Sequence, residues 1–440
     1  MATARVTPPI VLAAGLRTPW VKAGGVFAGE DAGHLSACVA RELLARTRVD
    51  PATIDEVIAG CAGPPHDQAN VARVLALRAG IPWHVPARTV ARNCASGMEA
   101  ITSAATSIAA GEGSLYLVVG VEVMSRFPLL YGDKMTAIFA SLARARSPGA
   151  RMKALSAFRP SMLKPRIGLM EGLTDPVSGL IMGKTAELLA REWQITRAEA
   201  DAFACESHTR AARARDAGRF TREILPHLPL SSSSRAPQKS IEHDDGIRDG
   251  QTVEALATLK PYFDKPDGRV TVGNSCGVSD GACALLVTTE ERASALGLTP
   301  LARIASWSYA GLDPARMGLG PVYASAKALD KAGLTLDDMA VIELNEAFAA
   351  QALACERAAA SETFARRELG RDRPLGKLDL ARTNVNGGAI ALGHPVGATG
   401  ARIVLTAAHE LAVRRERYAL ATLCIGGGQG GSVVLERIAR

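Results

Sequence analysis

The chain has 440 residues, of which 48% are hydrophobic, 22% charged and only 4% aromatic, with 42 glycines. That length supports two or three domains around a large core, and the composition excludes a disordered or fibrous protein. The net charge of +7 is unevenly placed: between Tyr131 and Gly168 eight Lys and Arg residues face Asp133 alone, so this one segment equals the whole excess.

The eight cysteines (Cys38, Cys61, Cys94, Cys205, Cys276, Cys283, Cys355 and Cys424) are scattered, with no CxxC pair and no metal-ligand spacing. Neither a disulfide framework nor a metal site is expected, and a reducing, cytoplasmic setting is. No apolar run reaches membrane-spanning length. Pro8 to Gly15 reads as a first strand, not as a signal peptide, and Ile438-Ala439-Arg440 is no retention or peroxisomal signal.

In chain order, Ile10 to Ala14 is a strand and Arg17-Thr18-Pro19 a turn. Leu35 to Leu44 is a helix, Ile54 to Gly60 a strand and Gln68 to Ala79 a helix. A short extended run ends at Asn93, and the recurrence of Met98, Ile101, Ala105 and Ile108 predicts a helix starting at Cys94. The apolar run Leu115 to Gly120 is a buried strand. Strands alternating with helices predict βαβ units and a largely parallel sheet covered on both faces. From Arg126 to Gly268 the pattern breaks into a mainly helical insertion, basic and interrupted by prolines. Its helices run over Ile181 to Arg191 and Arg197 to Ala217, and Ser231 to Ser234 is a flexible patch. Strand character returns at Val270 to Val272 and Ala284 to Thr288. The last third repeats the element order of the first: strands at Ala302 to Tyr309, Ala340 to Leu344, Tyr418 to Leu423 and Ser432 to Leu435, and helices at Ala324 to Lys331, from Glu346, and at Arg402 to Leu411. The expected division is 1–125 for the first half, 126–268 for the insertion, 269–295 for a return to the first half and 296–440 for the second.

Four stretches carry chemistry. Asn93-Cys94-Ala95-Ser96-Gly97 places a thiol at a helix start, where unpaired N–H groups favour the thiolate. Taken alone, a small buried core cysteine is the commoner case. Glu343-Leu344-Asn345-Glu346-Ala347-Phe348 puts polar groups at a strand's C-terminal end, the usual place for a site in an open α/β sheet, although Asn345 could simply cap the next helix. Asn386 to Gly400 is a glycine-rich loop holding His394, and such loops are often only tight turns. Leu423-Cys424-Ile425-Gly426 adds a second thiol beside accessible backbone N–H groups. Together they supply a nucleophile, a base, a second thiol and oxyanion donors, a complete set for acyl transfer.

In order and spacing these stretches, with Gly120-Val121-Glu122-Val123-Met124-Ser125, Met182-Gly183-Lys184-Thr185-Ala186-Glu187, Gly273-Asn274, Asp280-Gly281-Ala282 and Gly393-His394-Pro395, closely resemble the thiolase family over nearly the whole chain. The resemblance implies an α/β thiolase fold of α-β-α-β-α halves plus a loop-domain insertion, and reversible cleavage of 3-ketoacyl-CoA by coenzyme A, which is substrate and product, with no metal or redox cofactor. It implies that Cys94 is the nucleophile, that His394 takes its proton and that Asn345 holds a water completing the first oxyanion site. Cys424 becomes the second acid and base, and the N–H groups of Cys94 and Gly426 the second oxyanion hole. For the CoA moiety it implies Arg248 near the adenine, and Met182, Phe348 and Cys276 along the pantetheine. A salt bridge to Asp244 or Asp245 is nearly as good a reading of Arg248. Cys276 departs from the family's usual Ser or Thr, a stronger hydrogen-bonding group than a thiol. The long basic insertion resembles thiolases of fatty-acid β-oxidation that work with a multifunctional partner. Lys134 to Phe158 reads as a helical hairpin, turning at Pro148-Gly149, that meets a partner protein or a membrane surface. A homodimer or tetramer is implied, and no nucleic-acid partner. Two other classes compete. A ketoacyl synthase of related fold would lack the second catalytic cysteine, and a non-catalytic CoA- or lipid-binding relative would have lost catalytic residues that are all present here.

Overall fold

The computed structural model describes residues 8–230 and 239–438; the Ser231 to Ser234 patch lies outside them. Its strands are β1 (Ile10–Arg17), β2 (Val21–Lys22), β3 (Glu56–Gly60), β4 (Ala87–Val90), β5 (Leu115–Val123), β6 (Leu129–Leu130), β7 (Arg166–Ile167), β8 (Ser279–Thr289), β9 (Ala302–Gly311), β10 (Met339–Leu344), β11 (Tyr418–Ile425) and β12 (Gln429–Glu436). All but the β6–β7 pair join one sheet, ordered β10-β11-β12-β9-β1-β8-β5-β3-β4, with β2 beside β8. Within the sheet, β1 of the first half pairs with β9 of the second at Val11 with Arg303 and Leu12 with Ala302.

The halves repeat one design. In the first, β4, β3 and β5 run parallel and β8 and β1 follow antiparallel. In the second, β10 and β11 are parallel and β12 and β9 antiparallel, and a single parallel bridge from Ile342 to Thr383 stands where the first half has β4. The sheet is therefore mixed, not largely parallel: β8 lies between β1 and β5 and opposes both. Every residue of β5 is buried, because both faces are covered. Leu117, Val119 and Val121 point into an outer layer with helix Ala32–Thr47, while Tyr116 and Val118 point into an inner layer. That inner layer also receives one face of β10, β11 and β12 and the helices Ser96–Ala110 and Val396–Arg414. Helices Gly320–Ala332 and Ala349–Ala360 cover the far side. The layers stack α-β-α-β-α.

Where the local readings differ, a side chain usually explains it. Val270 to Val272 forms no strand, because the Glu187 carboxylate accepts the N–H groups of Arg269 and Val270 that a strand partner would take. The helix expected from Glu346 begins at Ala349 with Phe348 at its N-cap, so Asn345 caps nothing. Arg17 closes β1 instead of opening a turn. In the basic segment, helices Asp133–Arg144 and Pro148–Ser156 form the expected hairpin. However, Ser147 caps the second helix through the Ala150 N–H, so Pro148 and Gly149 lie in its first turn, where proline is tolerated.

Candidate active site

The two inner helices cross with their backbones almost touching. A Cβ added at Gly97 would come 2.8 Å from both the Gly397 carbonyl oxygen and the Ala401 nitrogen, and one at Gly400 would come 2.6 Å from the Met98 nitrogen. Only glycine permits such an approach. The glycine-rich stretch thus serves a turn at Gly387, whose N–H donates to the Asn384 carbonyl, and a helix crossing at Gly397 and Gly400. It draws the segment after His394 onto the segment after Cys94. The parallel strands β10 and β11 end side by side, so Asn345, whose N–H donates to the Thr422 carbonyl, emerges at the edge that also carries Cys424.

Cys94 precedes the helix, which starts at Ser96 after an N-cap at Ala95. Asn93 is held in the left-handed region (φ 44°), and its amide donates to the Gly426 carbonyl at 2.8 Å, fixing the cysteine turn against the Cys424 turn. Cys94 is partly accessible yet densely surrounded, as at the foot of a recess. Burial pushes its thiol up, outweighing the N–H groups of Gly426 and of Cys94 itself, which hydrogen-bond the sulfur and act in the opposite sense. The pull towards the thiolate expected at the helix start is therefore present but outweighed by burial, and the two N–H groups are already aimed at the reacting atom. Cys424 is also pushed up by burial, with Cys94, Cys355 and Cys276 as electrostatic neighbours. Burial pushes Cys276 up to about 12, with Cys94 again a neighbour. Three neutral thiols share this region.

His394 follows Gly393, whose φ is 98°, and is buried. Its Nδ1 lies 2.6 Å from Thr399 Oγ1, while Nε2 has no protein partner. Burial first, and then the Arg402 charge, lower its pKa to about 4, so the imidazole is neutral near pH 7. Asn345 is fully buried, and neither polar atom of its amide has a partner. An unpaired buried amide is costly, and here it lies at the strand end beside the thiols.

Of the remaining predicted residues, Met182 and Phe348 join this region. The Met182 sulfur lies 3.3 Å from where a Gly426 Cβ would stand. The buried Phe348 ring packs edge-on to Phe263 at 6.3 Å. Cys276 donates its N–H to the Ala347 carbonyl. The neighbouring Ser275 hydroxyl donates to the Thr271 carbonyl at 2.7 Å. Arg248 is exposed, and its N–H donates to His208 Nδ1 at 3.3 Å. Among the described residues it forms no ion pair: Asp244 pairs with Arg17, and Asp245 accepts from the Lys22 N–H. Its segment still leans on the loop before His394, since a Cβ at Gly246 would meet the Ala391 carbonyl at 2.5 Å.

Two supports carry no assigned role in the sequence reading. The buried Glu122 accepts from the N–H groups of Ala62, Gly63 and Gly397, holding the start of the His394 helix against β5. The buried Glu346 accepts from Ser207, Asn384 and the Ile390 N–H, fixing the loop that leads to His394. A signal existed for Glu122, because a carboxylate ending a wholly apolar strand demands buried donors. Among the described residues, no group of His, Cys, Asp and Glu is arranged to hold a metal ion. An open groove of about 700 Å³ lies away from these residues, between the hairpin helices, lined by Ile138, Ala150, Ala154 and Met162 with Lys134 and Lys153.

Residues 10–291 match the family description "Thiolase, N-terminal domain" and residues 298–437 match "Thiolase, C-terminal domain". The chain is 42% identical to a β-ketoadipyl-CoA thiolase of Escherichia coli, covering 96% of this chain and 98% of that one. It is 43% identical to an acetyl-CoA acetyltransferase of Pseudomonas aeruginosa, covering 97% and 99%. It superposes on human mitochondrial 3-ketoacyl-CoA thiolase in complex with CoA with a TM-score of 0.83 at 36% identity, covering 98% and 99%. The chain belongs to the thiolase family. It is an acyltransferase that uses coenzyme A as substrate.

Proposed function

We propose that Cys94 is the nucleophile of a two-step acyl transfer. Its sulfur attacks the 3-keto carbon of a 3-ketoacyl-CoA as its proton passes to Nε2 of His394. The C2–C3 bond breaks, the acyl group stays on sulfur as a thioester, and the C2 carbanion of acetyl-CoA takes a proton from Cys424. CoA then enters, its thiol gives its proton to the Cys424 thiolate, its sulfur takes the acyl group from Cys94, and the Cys94 sulfur leaves and recovers its proton from His394. The observation that carries this reading is the convergence of buried groups left without protein partners: His394 Nε2 and both amide atoms of Asn345, beside two neutral thiols. The thioester oxygen is received by His394 Nε2–H and a water on Asn345, and the enolate oxygen by the Cys94 and Gly426 N–H groups. A neutral thiol works both as acid and as base, which suits Cys424.

The test is thiolysis with CoA over a 3-ketoacyl-CoA chain-length series, wild type beside Cys94→Ala, with mass spectrometry for acyl-Cys94 after single turnover. Cys94-dependent turnover with a trapped acyl adduct supports the reading; turnover that survives Cys94→Ala overturns it. We place the enzyme in fatty-acid β-oxidation, for which activity rising with chain length is the expected result. The β-ketoadipyl-CoA relative favours a second reading, in which the acyl group ends in a carboxylate; preference for that substrate at equal length would select it.

We further infer a cytoplasmic homodimer or tetramer. Eight unpaired cysteines support the reducing compartment, and the half-buried edge strand β4, with Trp83 80% exposed beside it, supports a subunit contact. The hairpin docks on an anionic bilayer. Leu129, Tyr131, Phe139, Met152, Leu155 and Leu163 are exposed there, and Lys134, Arg144, Arg151 and Lys153 have no carboxylate partner among the described residues. Sedimentation with phosphatidylserine vesicles, lost on Met152→Glu with Leu155→Glu, supports this; equal sedimentation with neutral vesicles or none at all refutes it, and the latter leaves the partner protein as occupant.

A further inference from the structure

The base assigned to His394 works only if the imidazole carries its proton on Nδ1, leaving the Nε2 lone pair free. Nothing in the histidine itself enforces this, since both tautomers of a free imidazole are populated. The partner of Nδ1 decides. That partner is Thr399 Oγ1 at 2.6 Å, and the same hydroxyl lies 3.0 Å from the Pro395 carbonyl oxygen one helical turn back. A threonine hydroxyl has one proton and two lone pairs. With its proton on the Pro395 carbonyl, it offers only lone pairs to the ring. We infer that Thr399 is a positioning residue that fixes the Nδ1–H tautomer of His394 through the relay Nδ1–H to Oγ1, Oγ1–H to Pro395 oxygen. This inference rests on the role proposed above for His394.

The geometry around the pair supports the relay. Thr399 is fully buried, so no solvent competes for the hydroxyl. Nε2 is buried and without a partner on the opposite side of the ring. Arg402, three residues beyond Thr399, is buried and paired with Glu343 at 2.9 Å, and its positive charge disfavours a second proton on the ring. The two residues act on different properties: Arg402 on how many protons the imidazole holds at rest, Thr399 on where the single proton sits. When Nε2 receives the Cys94 proton, both ring nitrogens become donors. Nδ1–H still meets Oγ1, and no side chain has to turn between the two states.

The test uses the full-length enzyme with 15N-labelled histidine. His394 is assigned by loss of its signals in His394→Ala, and its tautomer is read from the ring nitrogen shifts in wild type, Thr399→Val and Thr399→Ser. Wild type and Thr399→Ser are expected as the Nδ1–H form, and Thr399→Val as a mixture. In thiolysis, kcat for Thr399→Val is expected to fall about 10²-fold, the scale of losing a positioned base, with KM within about twofold and with Thr399→Ser close to wild type. An Nε2–H tautomer in the wild-type protein overturns the inference, even if Thr399→Val fails to fold. So does a Thr399→Ser enzyme as impaired as Thr399→Val, which marks the methyl group and not the hydroxyl as the requirement. Full activity of His394→Ala instead overturns the proposed function, and the tautomer measurement then still decides what Thr399 does.

Discussion

Replacing Arg17 by alanine removes the centre of a buried ionic cluster that ties three parts of the chain together. Arg17 ends β1 and is fully buried. Its guanidinium grips Asp244 at 2.7 and 2.9 Å and Glu223 at 2.7 Å. Without it two carboxylates stay buried. Asp244 keeps the Trp20 N–H and Glu223 keeps the Thr406 hydroxyl, so the loss falls short of two naked charges. Breaking one buried pair costs roughly 3–5 kcal/mol, and this is the expected range for Arg17→Ala. The control is Arg417→Ala, whose side chain is 72% exposed and meets Glu436 at 3.3 Å; an exposed pair contributes about 0–1 kcal/mol. The assay is the urea midpoint of each variant at constant slope, together with KM for CoA. The KM readout matters because Asp244 anchors the segment that leads to Arg248. A lowered midpoint and raised KM for Arg17→Ala, with Arg417→Ala unchanged, are expected. Equal midpoints for the two variants would refute the reasoning.

Gly60→Ala puts a Cβ 2.1 Å from the Ser96 carbonyl oxygen, so it must push the Cys94 helix off β3. The overpacking scale is about 1–3 kcal/mol or more, and acyl-Cys94 formation should slow with it. Gly149→Ala, which meets nothing within 4 Å, should leave both unchanged. Acid should destabilise the fold through two buried histidines, His394 and His208, whose pKa values burial lowers to about 4. An unfolded histidine binds its proton near 6.5, so between that pH and about 4 the unfolded chain takes up protons that the folded one refuses. Stability is therefore lost as pH falls through that window, by up to about 3 kcal/mol for each histidine. Urea midpoints at pH 7 and pH 4.5 check this, and His208→Gln should lose less than wild type; an identical loss contradicts it. Cys276→Ser restores a hydroxyl where the thiol is now neutral and a weak donor, and should lower KM for CoA at unchanged kcat. A raised KM would show that the thiol itself is the preferred neighbour.

The chemistry was legible in the sequence because its carriers sit where elements end. Cys94 and Asn345 follow strands and Cys424 is the last residue but one of β11, and a strand's end is marked by where an apolar run stops. What brings them together was not legible. The crossing of Gly97 with Gly397 and Gly400 joins residues some three hundred positions apart, and glycine in a loop reads the same whether it serves a turn or a close approach. Sheet direction was hidden for a similar reason. A fully buried strand such as β8 looks alike whether its neighbours run parallel or antiparallel, and only the insertion's return path sets it against β5. The ground-state thiol was missed because the sequence shows the helix start but not the burial, and burial outweighs the N–H groups at Cys94.

The same contrast explains why the site tolerates neutral groups. A resting thiolate beside a second and a third thiol would repel any charge they acquired: each of the three is pushed towards the neutral form by burial, and Cys94 adds to that push at both Cys276 and Cys424. His394, kept neutral by burial and then by the Arg402 charge, adds none. Charge therefore arises only when a substrate carbonyl is present to accept it, in front of N–H groups already in place. A site built this way does not need a low thiol pKa to be reactive; it needs a base of fixed tautomer at hand and donors that do not move. Glu122 and Glu346 hold that base by accepting the Gly397 and Ile390 N–H groups on either side of His394. Burial pushes both of these carboxyls up as well, and the N–H and side-chain donors around them act in the opposite sense.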